Sequence, residues 1–200
     1  EHLMQLHTNN RFNLIPRQAP LLVLVLVFAI LALGSPRTVQ AATAGEINRD
    51  VDSALATLYR TMPVARDMAK VARGILVFPS IVKGGFIIGG QYGEGALRVG
   101  GTTTGYYRTV AASYGLQAGA QTFGYALFFL DDASLRYLQE SNGWEVGVGP
   151  SIVVMDEGKA RSFSTTTAKS GVYAFFFSQK GLMAGLGIQG SKITEIFPDR

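Results

Sequence analysis

Lys83 stands immediately before Gly84-Gly85 in a sequence rich in glycine. A cation beside backbone N–H groups that no side chain shields is the chemistry of an anion-binding corner. Residues 80–85 separate two short apolar runs. The first, 74–78 (GILVF), is closed by Pro79; the second, 86–88 (FII), ends in Gly89-Gly90. The spacing predicts two short strands joined by a Lys- and Gly-bearing turn, with Phe86 offering apolar surface beside it. Lys169 and Lys180 also fall in or beside expected turns. Brought together, the three lysines would make a phosphate-sized basic patch. Left apart, they are ordinary solvated lysines, and the corner is an ordinary β-turn.

Little else in the chain has catalytic chemistry. There is no cysteine, and both histidines, His2 and His7, lie near the start. Downstream of them, Ser-His-Asp and Cys-His sites are excluded, as is any zinc site that needs Cys or His. The adjacent carboxylates Asp131-Asp132 and Asp156-Glu157 suit a helix cap and a turn. Residues 164–167 (STTT) offer hydroxyls to a phosphate, or simply β-propensity and turn hydrogen bonds. The spacings Gly147/Gly149 and Gly185/Gly187 open no strand–helix unit, so they make no dinucleotide fingerprint. No catalytic residue, metal site or cofactor is expected.

Residues 1–44 read as a leader. Arg11 and Arg17 precede the apolar run 21–33 (LLVLVLVFAILAL), which Pro16 and Pro36 confine to a length below the ~20 residues of a spanning helix. Small-x-small spacings at 39–41 and 42–44 then fit a signal peptidase, with cleavage near Ala41, Ala42 or Ala44; an uncleaved anchor helix is the alternative. Met4 is the expected initiator. The leader holds Arg11, Arg17 and Arg37 against Glu1, so a net charge of +4 leaves +2 in the remainder. With no long Lys/Arg run there, a nucleic-acid partner has little support.

The elements that must position the corner follow. Thr43 and Glu46 form a T-x-x-E capping box, and Ile47, Val51, Ala54, Leu55 and Leu58 recur at helical spacing. Pro63 suits the first turn of a second helix with Val64, Met68 and Val71 on its apolar side; Lys70 and Arg73 complement its C-terminus, and Gly74 stops it. Beyond 74, short runs at 94–101, 105–113, 114–121, 123–130, 144–155, 160–165, 171–178, 182–190 and 192–197 read as strands. The run 123–130 is apolar enough for burial on both faces, and Trp144 reads as a core anchor. Asp131 caps a short helix at 132–140. Glycines alternating with large residues point to strands that curve strongly or lie close to another backbone. The expected fold is α+β: a curved antiparallel β-sandwich or partly closed barrel of about nine or ten short strands. N-terminal helices span 46–73, the β-rich part spans 74–197, and one short helix is inserted.

The blocks 72–97 (ARGILVFPSIVKGGFIIGGQYGEGAL), 111–122 (AASYGLQAGAQT), 143–158 (GWEVGVGPSIVVMDEG) and 165–194 (TTTAKSGVYAFFFSQKGLMAGLGIQGSKIT) resemble, in this order, the SYLF domain family. The resemblance covers nearly all of 46–196. It implies phospholipid binding, with phosphoinositides in eukaryotic relatives and actin bundling in fungal ones, and it brings no catalytic motif. An exported chain argues against actin. In eukaryotic relatives an N-terminal amphipathic helix takes part in membrane contact; the matching segment is 46–60, where Asp50 and Asp52 dilute the basic face. The expectation is an exported, non-enzymatic phospholipid-binding protein, periplasmic or envelope-associated, with a single domain at 45–200. Anionic headgroups would meet Lys83, Gly84 and Gly85, with Lys169 and Lys180, and acyl chains would meet Phe86 or the N-terminal helix. Alternatives are a structural or assembly protein of the cell envelope, a hydrolase needing Glu94, Glu145 or Asp156 to converge, and an outer-membrane β-barrel. High glycine and a positive mean hydropathy favour the barrel; intervening helices and strands shorter than ~10 residues disfavour it.

Overall fold

A computed structural model describes residues 41–155, 171–181 and 190–200. Residues 1–40, which hold most of the leader expected at 1–44 and its apolar run, lie outside the described residues, as do Asp156-Glu157, the strand expected at 160–165, Lys169 and most of the strand expected at 182–190. Among the described residues no helix is long and apolar enough to cross a membrane.

The fold is α+β, with most residues in one curled, half-barrel mixed sheet. Helix α1 (Ala44–Thr61) starts where the capping box places it. The Glu46 amide donates to Thr43 Oγ1 at 3.3 Å and the Thr43 amide to Glu46 Oε2 at 2.8 Å. These bonds to Thr43 hold the Glu46 carboxyl below its usual range. Ile47, Val51, Ala54 and Leu58 form its buried face. Helix α2 (Pro63–Ala69) buries Ala65 and Met68. It ends before Val71, which is exposed rather than packed, because the chain there turns to enter the sheet.

The sheet is built on one long hairpin. Strand β1 (Gly74–Val99) pairs antiparallel with β2 (Thr102–Phe129) from Gly74↔Phe129 to Val99↔Thr102. Gly100 and Gly101 alone close it, both with positive φ, as a two-residue loop of primed type requires. The far edge of β2 takes β6 (Lys192–Ile196) at 106–110 and β5 (Val172–Gly181) at 121–129. Strand β3 (Trp144–Glu145) extends the first and β4 (Ile152–Met155) runs parallel to the second. The described residues thus hold six strands. Fewer than expected are distinct, because the runs between 74 and 130 merge into β1 and β2.

The turn expected at 80–85 is absent. Pro79 and Ser80 occupy a register shift between Phe78 and Ile81, and residues 81–86 continue in β1 opposite 118–123. Reversal comes from the whole hairpin doubling back. A Cβ on Gly95 would fall on the Val77 carbonyl oxygen and within 2.9 Å of the Phe78 ring; one on Gly93 would fall on Ile81 and within 2.7 Å of the Ser80 oxygen. The second half of β1 therefore lies on its own first half, and only glycine permits that approach.

Doubling creates two faces. The inner face buries Leu76, Phe78, Ile81, Leu97, Tyr107, Phe123, Tyr125 and Phe129, with Trp144, Phe176 and Ile193. The outer face buries Val77, Ala96, Ala126, Phe128, Tyr173 and Phe175 beneath α1 and α2. Residues 123–129 are buried on both faces, as their unbroken apolar run requires. Trp144 anchors the inner core, donating Nε1–H to the Val148 carbonyl at 2.9 Å. The strand expected at 144–155 breaks after Glu145, because Gly147 and Gly149 take positive φ.

Helix α3 (Asp132–Glu140) is capped by Asp131, whose carboxylate accepts from the Ser134 amide at 2.7 Å and the Gly171 amide at 2.5 Å. The Ser134 bond, and then the Gly171 bond, hold its pKa below the ordinary 3.8.

Two measurements check this description. Gly95→Ala is expected to lower unfolding stability by on the order of 3 kcal/mol, whereas Gly84→Ala, whose Cβ would sit 3.7 Å from the Gly119 oxygen, leaves the urea midpoint almost unchanged. Equal midpoints would mean that the hairpin is not doubled. Asp131→Asn keeps a capping side chain but cannot titrate. A carboxyl with depressed folded pKa stabilises above its unfolded value, and that contribution disappears as pH falls through the folded one. The wild type should therefore lose stability more steeply than the variant below about pH 4; identical slopes would remove the carboxylate from both contacts.

Candidate functional site

The corner foreseen around Lys83 is not built as expected. Lys83 lies inside β1 opposite Gln121, Gly84 opposite Ala120, Gly85 opposite Gly119 and Phe86 opposite Ala118. Without a turn, the Gly84-Gly85 backbone forms no nest for an anion. Lys180 pairs with Thr122, and so does Val82. Directly opposed residues share a face and successive residues alternate. Lys83 therefore belongs to the inner face and Lys180 to the outer, and the two do not form a patch. Lys169 lies outside the described residues.

Cations gather elsewhere. A cleft of ≈ 390 Å³ lies where α1, the link from α2 into β1 and the β1–β2 loop meet. Leu55, Tyr59 and Ile75 supply its apolar wall, and Lys70, Arg73 and Arg98 line it against the single carboxylate of Asp52. Asp52, Leu55 and Tyr59 share one side of α1 at spacings of three and four. Burial pushes the Tyr59 phenol up, with nearby Arg66 acting in the opposite direction.

Arg98 is the most constrained of the cations. It follows the inner-face residue Leu97, so strand alternation sets it on the helix side of the hairpin. Its Nη2 donates to Asp52 Oδ1 at 2.6 Å and to the Asn48 carbonyl at 3.4 Å. Its side chain is 15% exposed, and its Nε is buried without a partner among the described residues. Asn48 adds to this clamp, accepting from Thr103 Oγ1 at 2.7 Å and donating to Tyr106 Oη at 2.9 Å. Lys70 and Arg73 differ. Lys70 pairs with Asp67 at 2.6 Å and Arg73 with Asp132 at 3.6 Å, but all four side chains are more than half exposed. Such pairs hold their charges weakly and leave them available to another anion.

The cleft can thus present a fixed guanidinium and two exposed cations beside an apolar wall. That suits recognition of an anion joined to an apolar group. Among the described residues no three of His, Cys, Asp and Glu are grouped to hold a metal. Local sequence showed Lys70 and Arg73 only as complements of a helix end, and Arg98 only as a strand residue. The link between Arg98 and Asp52 spans 46 positions and leaves no local signal.

A double-mutant cycle on Asp52→Ala and Arg98→Ala should give a coupling of about 1 kcal/mol in urea unfolding. A coupling near zero would show that α1 is held by its apolar face alone.

Comparison with protein-family models gives no match to this chain, and comparison with curated protein sequences gives none either.

Proposed function

We propose that this is an exported, non-enzymatic protein that binds anionic phospholipid at the cleft between α1 and the hairpin loop. The observation that carries this reading is the composition of the cleft: Lys70, Arg73 and Arg98 against one carboxylate, beside Leu55, Tyr59 and Ile75. The resemblance to the SYLF family supports the same ligand class. The pattern of the leader supports export, with a periplasmic or envelope-associated place after cleavage.

Arg98, fixed by Asp52, offers a positioned donor to a headgroup phosphate, and Lys70 and Arg73 add charge from the rim. Val71, 52% exposed, stands between these two cations. An apolar side chain flanked by cations suits the boundary between headgroups and acyl chains. Each basic residue near an anionic surface contributes about 1 kcal/mol, screened by salt.

Vesicle flotation of the full chain tests this, read as recovery on phosphatidylglycerol-containing vesicles less recovery on phosphatidylcholine vesicles. The difference cancels any contribution of the apolar run in the leader. Lys70→Gln with Arg73→Gln should reduce the anionic partition roughly 30-fold, the equivalent of about 2 kcal/mol. Lys180→Gln should have a much smaller effect. Recovery that is equal on both vesicles, or unchanged in the double variant, would dismiss the reading.

A further inference from the structure

A second set of polar groups lies on the inner face, away from the cleft, and independent of it. Lys83 and Gln121 are directly opposed on β1 and β2, so their side chains share that face. Gln91 shares it with Gly93, two residues on, just as Lys83 shares it with Ile81, two residues before. Gly95 lies over Val77 and Phe78, and Gly93 over Ser80 and Ile81. Continued in that register, the doubled strand brings Gln91 level with Lys83. Thr109 is opposite Gly93, and its hydroxyl lies near that of Tyr125.

Four of these five side chains are more than nine-tenths buried: Gln91 and Gln121 are 6% exposed, Thr109 and Tyr125 0%. Among the described residues, Gln91 Nε2 and Gln121 Oε1 lack a hydrogen-bond partner, and so do Thr109 Oγ1 and the Tyr125 hydroxyl apart from the close approach of these two to each other. Buried polar groups are nearly always paired, and an unpaired one points to a missing partner. Here four occur on one face around the doubled strand. Lys83, part-exposed beside them, has no ion-pair partner among the described residues. The next inner-face positions of β1 toward the bend are Gly85, with Gly119 opposite it, and Gly89, with Ser113 opposite it.

We propose that the doubled hairpin forms a binding site for a hydroxyl-bearing oxyanion, with Lys83 at its mouth. The unmet groups define the ligand. The Gln91 carboxamide donates to an anionic oxygen that Lys83 neutralises. The Gln121 oxygen accepts from a hydroxyl of the same ligand, and the Thr109 and Tyr125 hydroxyls serve either role. A polyol phosphate has this chemistry, whether free or as a lipid headgroup.

Titration calorimetry of the full chain with glycerol 3-phosphate, inorganic phosphate and phosphatidylglycerol vesicles tests the site. Saturable binding of glycerol 3-phosphate, at least tenfold tighter than inorganic phosphate, is expected if the ligand is free. If it is a lipid headgroup, the binding appears on vesicles alone. In either case Lys83→Gln should weaken it at least tenfold, whereas Lys70→Gln with Arg73→Gln leaves the glycerol 3-phosphate arm unchanged. Gln121→Leu removes a buried unmet acceptor, so it should fold at least as well as the wild type yet bind at least tenfold more weakly. Binding that is unchanged in Lys83→Gln or in a folded Gln121→Leu, equal affinity for inorganic phosphate, or no binding from either source would overturn the proposal.

Discussion

Everything in this fold depends on one contact between two stretches of the same backbone. Gly93 and Gly95 lie directly on residues 77–81, at a distance where any side chain would meet a carbonyl oxygen or Ile81. Strand propensity alone would extend the hairpin of β1 and β2 into a ribbon far too long to enclose a core. The two glycines let it close on itself, and the inner face becomes an interior. The aromatic side chains of Phe78, Phe123, Tyr125 and Phe176 then pack against one another with ring centroids 4.9 to 6.4 Å apart.

Closing the hairpin separates the chemistry of the two faces. The outer face is apolar and must be covered, and the amphipathic α1 covers it. Arg98, Asn48 and Asp52 fix where the helix sits, because an arginine that is mostly buried has to be paired. The basic cleft is the gap left between that helix and the hairpin loop. The inner face carries polar groups within an aromatic interior, where hydrogen bonding selects and one lysine supplies the charge. The two proposed anion sites therefore lie on opposite sides of one sheet. One depends on charge at an exposed rim and is sensitive to salt; the other depends on buried donors and acceptors.

Much of the local structure is written in short patterns. Thr43 and Glu46 mark the start of α1, the spacing of Ile47, Val51, Ala54 and Leu58 marks its buried face, and Asp131 marks the start of α3. The apolar run 123–129 announces a central strand, and alternating glycines announce close backbone approach, found at Gly93 and Gly95. Residues 80–85 mislead for a physical reason. Proline, serine and paired glycines are turn formers, yet here Pro79 and Ser80 fill a bulge and the glycines lie within a strand. That misplacement carried the expected site with it. Whether Lys83 and Lys180 share a face depends on bulges in β1 and at Thr122/Gly124, which no local pattern specifies. The Arg98 clamp and the inner polar groups are likewise made by residues distant in sequence, so pairing had to be known before they could be seen.

The doubling of the hairpin is most directly tested by a distance. The chain has no cysteine, so Ser80→Cys with Tyr92→Cys, both at exposed positions, places two nitroxide labels and no others. Pulsed electron paramagnetic resonance should give a narrow distribution below about 20 Å, since strands folded onto each other are separated by roughly the spacing of packed layers. A distribution centred near 40 Å, the span of twelve residues in a straight strand, would contradict the fold-back and, with it, the proposed inner site.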